Sequence, residues 1–129
     1  MPGDRTLLDT NAVIAWLRHD DVLRHHVSRR TPLISLFSAG EMFFGIRKSA
    51  RPEHNESALQ RALVEFEIVV PDLGTARHYG DVFFGLRQKG RPIPINDVWI
   101  AALALQHGLP LLTRDAHFSE VEGLEVLAW

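Results

Sequence analysis

Residues 95–118 read INDVWIAALALQHGLPLLTRDAHF. Asn96 can cap a helix over residues 97–107, and Val98, Trp99, Ile100, Ala101, Ala102 and Leu103 leave that helix apolar nearly all round. A helix without a polar face is buried. Gly108 and Pro110 end it, because glycine suits the left-handed turn at a helix C-terminus and proline cannot continue the hydrogen bonding. Residues 111–113 then form a strand, and a turn starts at Asp115. A buried helix feeding a short apolar strand points to a parallel sheet covered by helices.

The flanking sequence alternates in the same way. Residues 6–8 form a strand, 11–18 a helix with Val13, Ile14 and Leu17 at helical spacing, and 21–29 a second helix. The apolar run 33–37 is a strand, after which Ser38 opens a helix to about residue 50, with Glu41 at the spacing of a capping box. Residues 53–66 set Leu59, Leu63 and Phe66 on one helical face, and 68–70 are a β-branched strand stopped by Pro71. Residues 75–89 carry Tyr79, Val82, Phe83 and Leu86 on one stripe and end at Gly90, and 124–127 are the last strand. Five strands and about six helices make an α/β chain. With 129 residues, 46% of them hydrophobic, and no linker or repeat, one domain over residues 1–129 is expected.

Composition narrows the chemistry. The absence of cysteine removes disulfides, thiolate catalysis and thiolate zinc sites, and fits a reducing, cytoplasmic location. The longest uncharged stretch, residues 98–113, is shorter than a membrane span and is interrupted by Gly108 and Pro110, so no membrane association is expected. Asp4, Asp9 and Asn11 break up any apolar signal segment at the start. The net charge of -2 looks unpromising for a polyanionic partner. Setting four of the 16 acids aside for a metal, however, leaves 12 against 14 Lys and Arg, a small basic excess.

Those four acids are Asp9, Glu41, Asp97 and Asp115. Asp9 stands where the first strand stops, and Asp115 two residues after another strand. Glu41 lies one turn into the helix after the second strand, and Asp97 starts the buried helix. In open parallel sheets the loops at the carboxyl ends of strands hold ligands, so all four can face one rim. Each has a plainer reading. Asp9 can cap a helix, Glu41 can complete the capping box with Ser38, Asp97 can complement a helix dipole, and Asp115 can form an Asx turn. Their coincidence favours a shared site. Two carboxylates about 4 Å apart repel by roughly 4 kcal/mol at an effective dielectric of 20, which a cation offsets. Oxygen-only donors favour a hard ion, Mg2+ or Mn2+, able to acidify a bound water and stabilise charge on an attacked phosphate. Hydrolysis of a phosphodiester suits such a site.

Read together, LLDTNAVIAWL with Asp9, Thr10 and Asn11, SAGEMFFGIRKS with Glu41 and Gly45, and the opening stretch with Asp97, Thr113 and Asp115 resemble the PIN domain, in particular the VapC-type toxins of toxin–antitoxin pairs. The resemblance covers nearly the whole chain. It implies a three-layer α/β/α PIN-like fold with a five-stranded parallel sheet of order 3-2-1-4-5, in which Asp9 and Asp115 meet where the strand order reverses. It further implies that Asp9 and Asp97 are the core metal ligands, that Glu41 and Asp115 complete the pocket, and that Thr113 positions a water or phosphate oxygen. Family members often have Asn where this chain has Asp115. The implied activity is Mg2+-dependent endoribonuclease cleavage, with Mn2+ as substitute. The implied partners are RNA, a small VapB-type antitoxin and a second copy of the chain.

Thr10 and Asn11 are candidates for substrate contact, and Arg47 and Lys48 can hold an RNA backbone or serve simply as solvated helix charges. The seven histidines show no metal spacing and are expected at the surface. Trp16 and Trp99 fall in apolar helical patterns and are expected in the core or at an interface. An apolar strip of Ile14, Trp16, Leu17, Met42 and Phe43 is a candidate groove for an amphipathic antitoxin helix. Three other functions compete. A haloacid-dehalogenase-like phosphatase needs a second Asp at position 11, which is Asn. An inert PIN-like binding module would not need the full acid set. An RNA-processing nuclease without toxicity would keep it.

Overall fold

The computed structural model describes residues 4–129. β1 (Arg5–Leu8) leads into α1 (Thr10–Leu17) and α2 (Asp21–Val27). β2 (Thr31–Ser35), α3 (Leu36–Arg47), α4 (Pro52–Leu63) and β3 (Glu67–Val69) follow. α5 (Leu73–Lys89) and α6 (Ile95–His107) precede β4 (Leu111–Leu112), a 3-10 turn (Ala116–Glu120) and β5 (Val126–Leu127). All pairs are parallel and the order is β3-β2-β1-β4-β5, as the resemblance implies.

Alternation along the central strands builds the three layers. Leu7, Leu33 and Leu111 point to one face, where Val82 and Leu86 of α5 and Ile100 and Leu103 of α6 pack. Leu8, Ile34 and Leu112 point to the other, against Val13 of α1, Leu23 of α2, Met42 of α3 and Leu59 of α4. Strands covered on both faces have no polar side, which is why these runs read as continuously apolar. The α6 side chains Val98, Ile100, Ala101, Ala102, Leu103 and Ala104 are buried, as their all-round apolarity requires. Trp99 is half-buried, stacked between Phe37 at 5.5 Å and Tyr79 at 4.0 Å. No helix among the described residues is long and apolar enough to cross a membrane.

Three helices, α3, α5 and α6, start two residues earlier than the sequence expectation, and the shifts of α3 and α6 bear on the site. α3 begins at Leu36 with Ser35 as its N-cap, the Ser35 hydroxyl accepting from the Ser38 N–H at 3.0 Å. Ser38 is thus inside the helix, and the expected Ser38–Glu41 capping box does not form. α6 begins at Ile95 after Pro94, with no side-chain cap, so Asn96 lies in its first turn. Proline pre-sets the backbone and lacks a donor that would need a partner there. Both shifts release a side chain, Glu41 in one case and Asn96 in the other, to face the same pocket.

Candidate metal centre

β1 is flanked by β2 on one side and β4 on the other, so the chain ends leaving β1 and β4 emerge together. The Asp9 N–H extends the ladder by bonding Leu112 O at 3.2 Å. Asp9 Oδ1 caps α1 by accepting from the Ala12 N–H at 2.8 Å, and Oδ2 accepts from the Thr113 hydroxyl at 2.5 Å. Asp9 is only 3% exposed. Burial pushes its carboxyl above the ordinary value of 3.8. The hydrogen bonds from Thr113 and Ala12 oppose that rise, while the charges of Asp115 and Asp97 add to it. Capping and site formation are therefore both true of Asp9.

The other acids arrive from three directions. Asp97, in the first turn of α6, is half-buried, and its Oδ2 faces His117 Nε2 at 2.9 Å. Burial raises its carboxyl too, countered by His117 and reinforced by Glu41 and Asp115. Asp115 precedes the 3-10 turn, donates its N–H to the Thr113 hydroxyl at 2.9 Å, and has Oδ1 3.7 Å from His117 Nδ1. Glu41 Oε1 accepts from the Thr10 hydroxyl at 2.6 Å. Thr10 lies 2.8 Å from the Ser38 hydroxyl, which accepts in turn from Ser35 at 3.3 Å. Each hydroxyl has one proton to give, so the chain from Ser35 through Ser38 and Thr10 to Glu41 runs in one direction and fixes the carboxylate it ends on.

Asp9, Thr10, Asn11, Glu41, Asn96, Asp97 and Asp115 line one cavity of about 480 Å³, with Pro94 and Ile95 at its rim. All four expected acids thus line one cavity, Asp97 and Asp115 bringing ligand atoms within 4.8 Å of one another and of His117, while Thr113 reaches the cavity through Asp9 and Asn11 sits exposed on the wall. Thr10 lines the cavity and gives its hydroxyl proton to Glu41. Arg47 and Lys48 are not among the residues that line the cavity. They lie six and seven residues beyond Glu41, about 9 to 10 Å along the helix axis, exposed, with Lys48 Nζ over the Phe44 ring at 4.6 Å.

Ser35, Asn96 and His117 were not singled out for the site from sequence. His117 corrects the expectation of surface histidines, because it bridges two of the acids. Its one sequence signal is its place two residues after Asp115. The donors fit a hard divalent ion: four carboxylates converge and two are pushed toward their neutral forms, a repulsion that a bound cation relieves.

A family model described as the PIN domain matches residues 6–124. A tRNA(fMet)-specific endonuclease VapC from Shigella flexneri is 28% identical over 127 residues, covering 95% of this chain and 96% of its own. Ribonuclease VapC2 from Rickettsia felis is 30% identical over 129 residues, covering 95% and 96%. The crystal structure of DNA-bound VapBC from Salmonella typhimurium superimposes with a TM-score of 0.90 at 27% identity, covering 97% of this chain and 98% of that one.

Proposed function

This chain belongs to the PIN domain family, and we propose that it is a divalent-metal-dependent endoribonuclease, the toxin of a VapBC-type toxin–antitoxin pair acting in the cytoplasm. The observation that carries this reading is the convergence of Asp9, Glu41, Asp97 and Asp115 on one polar cavity. Relatives named as VapC ribonucleases, matched over nearly their whole length, support it.

Mg2+, or Mn2+ in its place, when bound would supply Lewis-acid activation of water and neutralise charge on the phosphate. Asp9 and Asp97 would hold that ion with the oxygen lone pairs left over from their hydrogen bonds to Ala12, Thr113 and His117. Asp115 and Glu41 complete the negative wall. Thr10 anchors Glu41 through Oε1, which leaves Oε2 to orient a water or accept its proton. Thr113 holds Asp9 Oδ2 and, through its own oxygen, the Asp115 backbone, so it sets two acids at once. Asn11 and Asn96 on the cavity wall are placed to contact the RNA backbone.

An apolar groove of about 1090 Å³ between α1, α3 and α4 supports the restrained-toxin reading. Ile14, Trp16, Leu17 and Met42 line it as the sequence suggests, joined by Ile46 and Leu59. Phe43 is not part of that lining; it is partly buried against the same core cluster that Ile14, Trp16 and Leu17 also touch. Glu41 borders both groove and metal cavity, so an amphipathic antitoxin helix in the groove is positioned to send a basic side chain toward the acids. A second copy of the chain has its own surface, the exposed Leu36 and Phe44 beside the site. Light scattering on Phe44→Glu should show monomers where the parent gives dimers.

The test is cleavage of single-stranded RNA that a chelator abolishes and Mg2+ or Mn2+ restores. Induced expression should arrest bacterial growth, and co-expression of the partner gene should relieve it. Normal growth of a host accumulating folded, metal-competent protein counts against the toxin reading. RNA cleavage that survives the chelator counts against the metal.

A further inference from the structure

His117 lies in the 3-10 turn Ala116–Glu120, with its ring 5.0 Å from that of the fully buried Phe118. Its Nε2 is 2.9 Å from Asp97 Oδ2. Asp97 thus engages one ring nitrogen and leaves the other, Nδ1, on the opposite edge of the ring. That Nδ1 faces Asp115 Oδ1 at 3.7 Å. At that separation the two are too far apart for a direct hydrogen bond. Two donors that share an ion at about 2.1 Å each stand roughly 3 to 3.6 Å apart, close to the separation found. Histidines that ligate metals nearly always give their other N–H to a carboxylate, which fixes tautomer and ring direction. Asp97 is that carboxylate.

Building on the reading of this cavity as a divalent-metal centre, we propose that His117 supplies through Nδ1 a nitrogen ligand on the Asp115 side of the cavity, an ion position separate from the one between Asp9 and Asp97, with Asp97 Oδ2 holding the ring from behind. One imidazole among oxygen donors moves preference away from Mg2+ toward Mn2+ and the later transition metals. The centre is therefore a mixed nitrogen and oxygen site. Its ion selectivity is set by a residue outside the acid quartet.

Pulsed electron paramagnetic resonance of the full chain loaded with Mn2+ tests this directly, since a coordinated 14N modulates the echo and carboxylates do not. The parent should show the 14N coupling and His117→Gln should lose it. Calorimetry should then find Mn2+ binding weakened about ten-fold in the variant and Mg2+ binding changed far less, so that the Mn2+ to Mg2+ preference falls. A Mn2+-loaded parent without 14N coupling overturns the nitrogen ligand while leaving the oxygen site standing. Coupling that persists in folded His117→Gln also overturns it. Failure of the parent to bind Mn2+ at all overturns both the ligand and the metal reading of the cavity. The parent spectrum decides even where the variant misfolds.

Discussion

Asp9 and Asp72 perform the same local task and end in opposite electrostatic states. Each is an extended N-cap: Asp9 accepts from the Ala12 N–H at 2.8 Å, Asp72 from the Thr75 N–H at 3.2 Å. Around Asp72 everything is complementary. The Thr75 hydroxyl answers the Asp72 N–H at 2.9 Å, Gln106 donates to the carboxylate at 2.6 Å, and these bonds, Gln106 foremost, hold an exposed carboxyl below its ordinary value. Around Asp9 burial dominates and two further aspartates add repulsion, so its carboxyl is pushed up. A cap requires neither burial nor a second acid. The excess of like charge at Asp9, beyond what capping needs, is what marks function.

The largest effect that would separate the two aspartates is catalytic. Asp9→Ala should cut RNA cleavage by about a thousandfold or more, the scale of several kcal/mol of lost metal-assisted stabilisation, with an unchanged circular dichroism spectrum. Asp72→Ala should cleave as the parent does. Equal rates for Asp9→Ala and parent would break the comparison at its root. Next comes ligand-linked stability: Mn2+ at 100 times its dissociation constant should add about 2.7 kcal/mol to the parent and to Asp72→Ala, and little to Asp9→Ala. Unchanged Mn2+ binding in both Asp9→Asn and Asp97→Asn would dismiss the site. Smaller again, Asp72→Ala should lower the urea unfolding midpoint slightly through the lost N-cap, whether or not metal is present.

What was legible in the sequence follows the reach of each signal. The acids could be read because each stands at or near the end of an apolar segment, a local pattern. The strand order came from the resemblance, since Leu7 pairs with Leu33 and Leu111 at separations that no local pattern specifies. The start of α3 was misplaced because Ser35 and Ser38 carry the same capping signal, and the extent of the β2 ladder, ending at the Ser35–Val69 pair, chose between them. His117 escaped because its partners, Asp97 and Asp115, come from different elements, one of them 20 residues away. The hydroxyl chain behind Glu41 joins the ends of two strand-to-helix turns, and only the sheet brings those together.

The smallest expected effect concerns the metal-free protein and pH, and it tests whether the acids really oppose one another. Asp9 and Asp97 have folded-state values raised above 3.8, so each binds its proton more tightly when the chain is folded. Well above the raised value both states are ionised and the folded state carries the full cost of the buried charge. As pH falls through the raised value toward 3.8 that cost is relieved, and these two groups therefore add stability with acidification. Asp72, lowered, has the opposite sign: its contribution is present above 3.8 and is lost as pH falls through its folded value below that. Asp97→Asn removes one titrating member while its carbonyl can still accept from His117. In chelator-treated protein at neutral pH the variant should match or exceed the parent, by less than about 1 kcal/mol because the group is only half-buried and screened. Its advantage should shrink as pH drops toward 3.8, while Asp72→Asn should show no such convergence in that range. Urea unfolding of the three proteins at closely spaced pH values gives the difference curves directly. A metal-free Asp97→Asn that is weaker than the parent at neutral pH would mean that His117 already neutralises the cluster, and that the carboxylates need no cation to coexist.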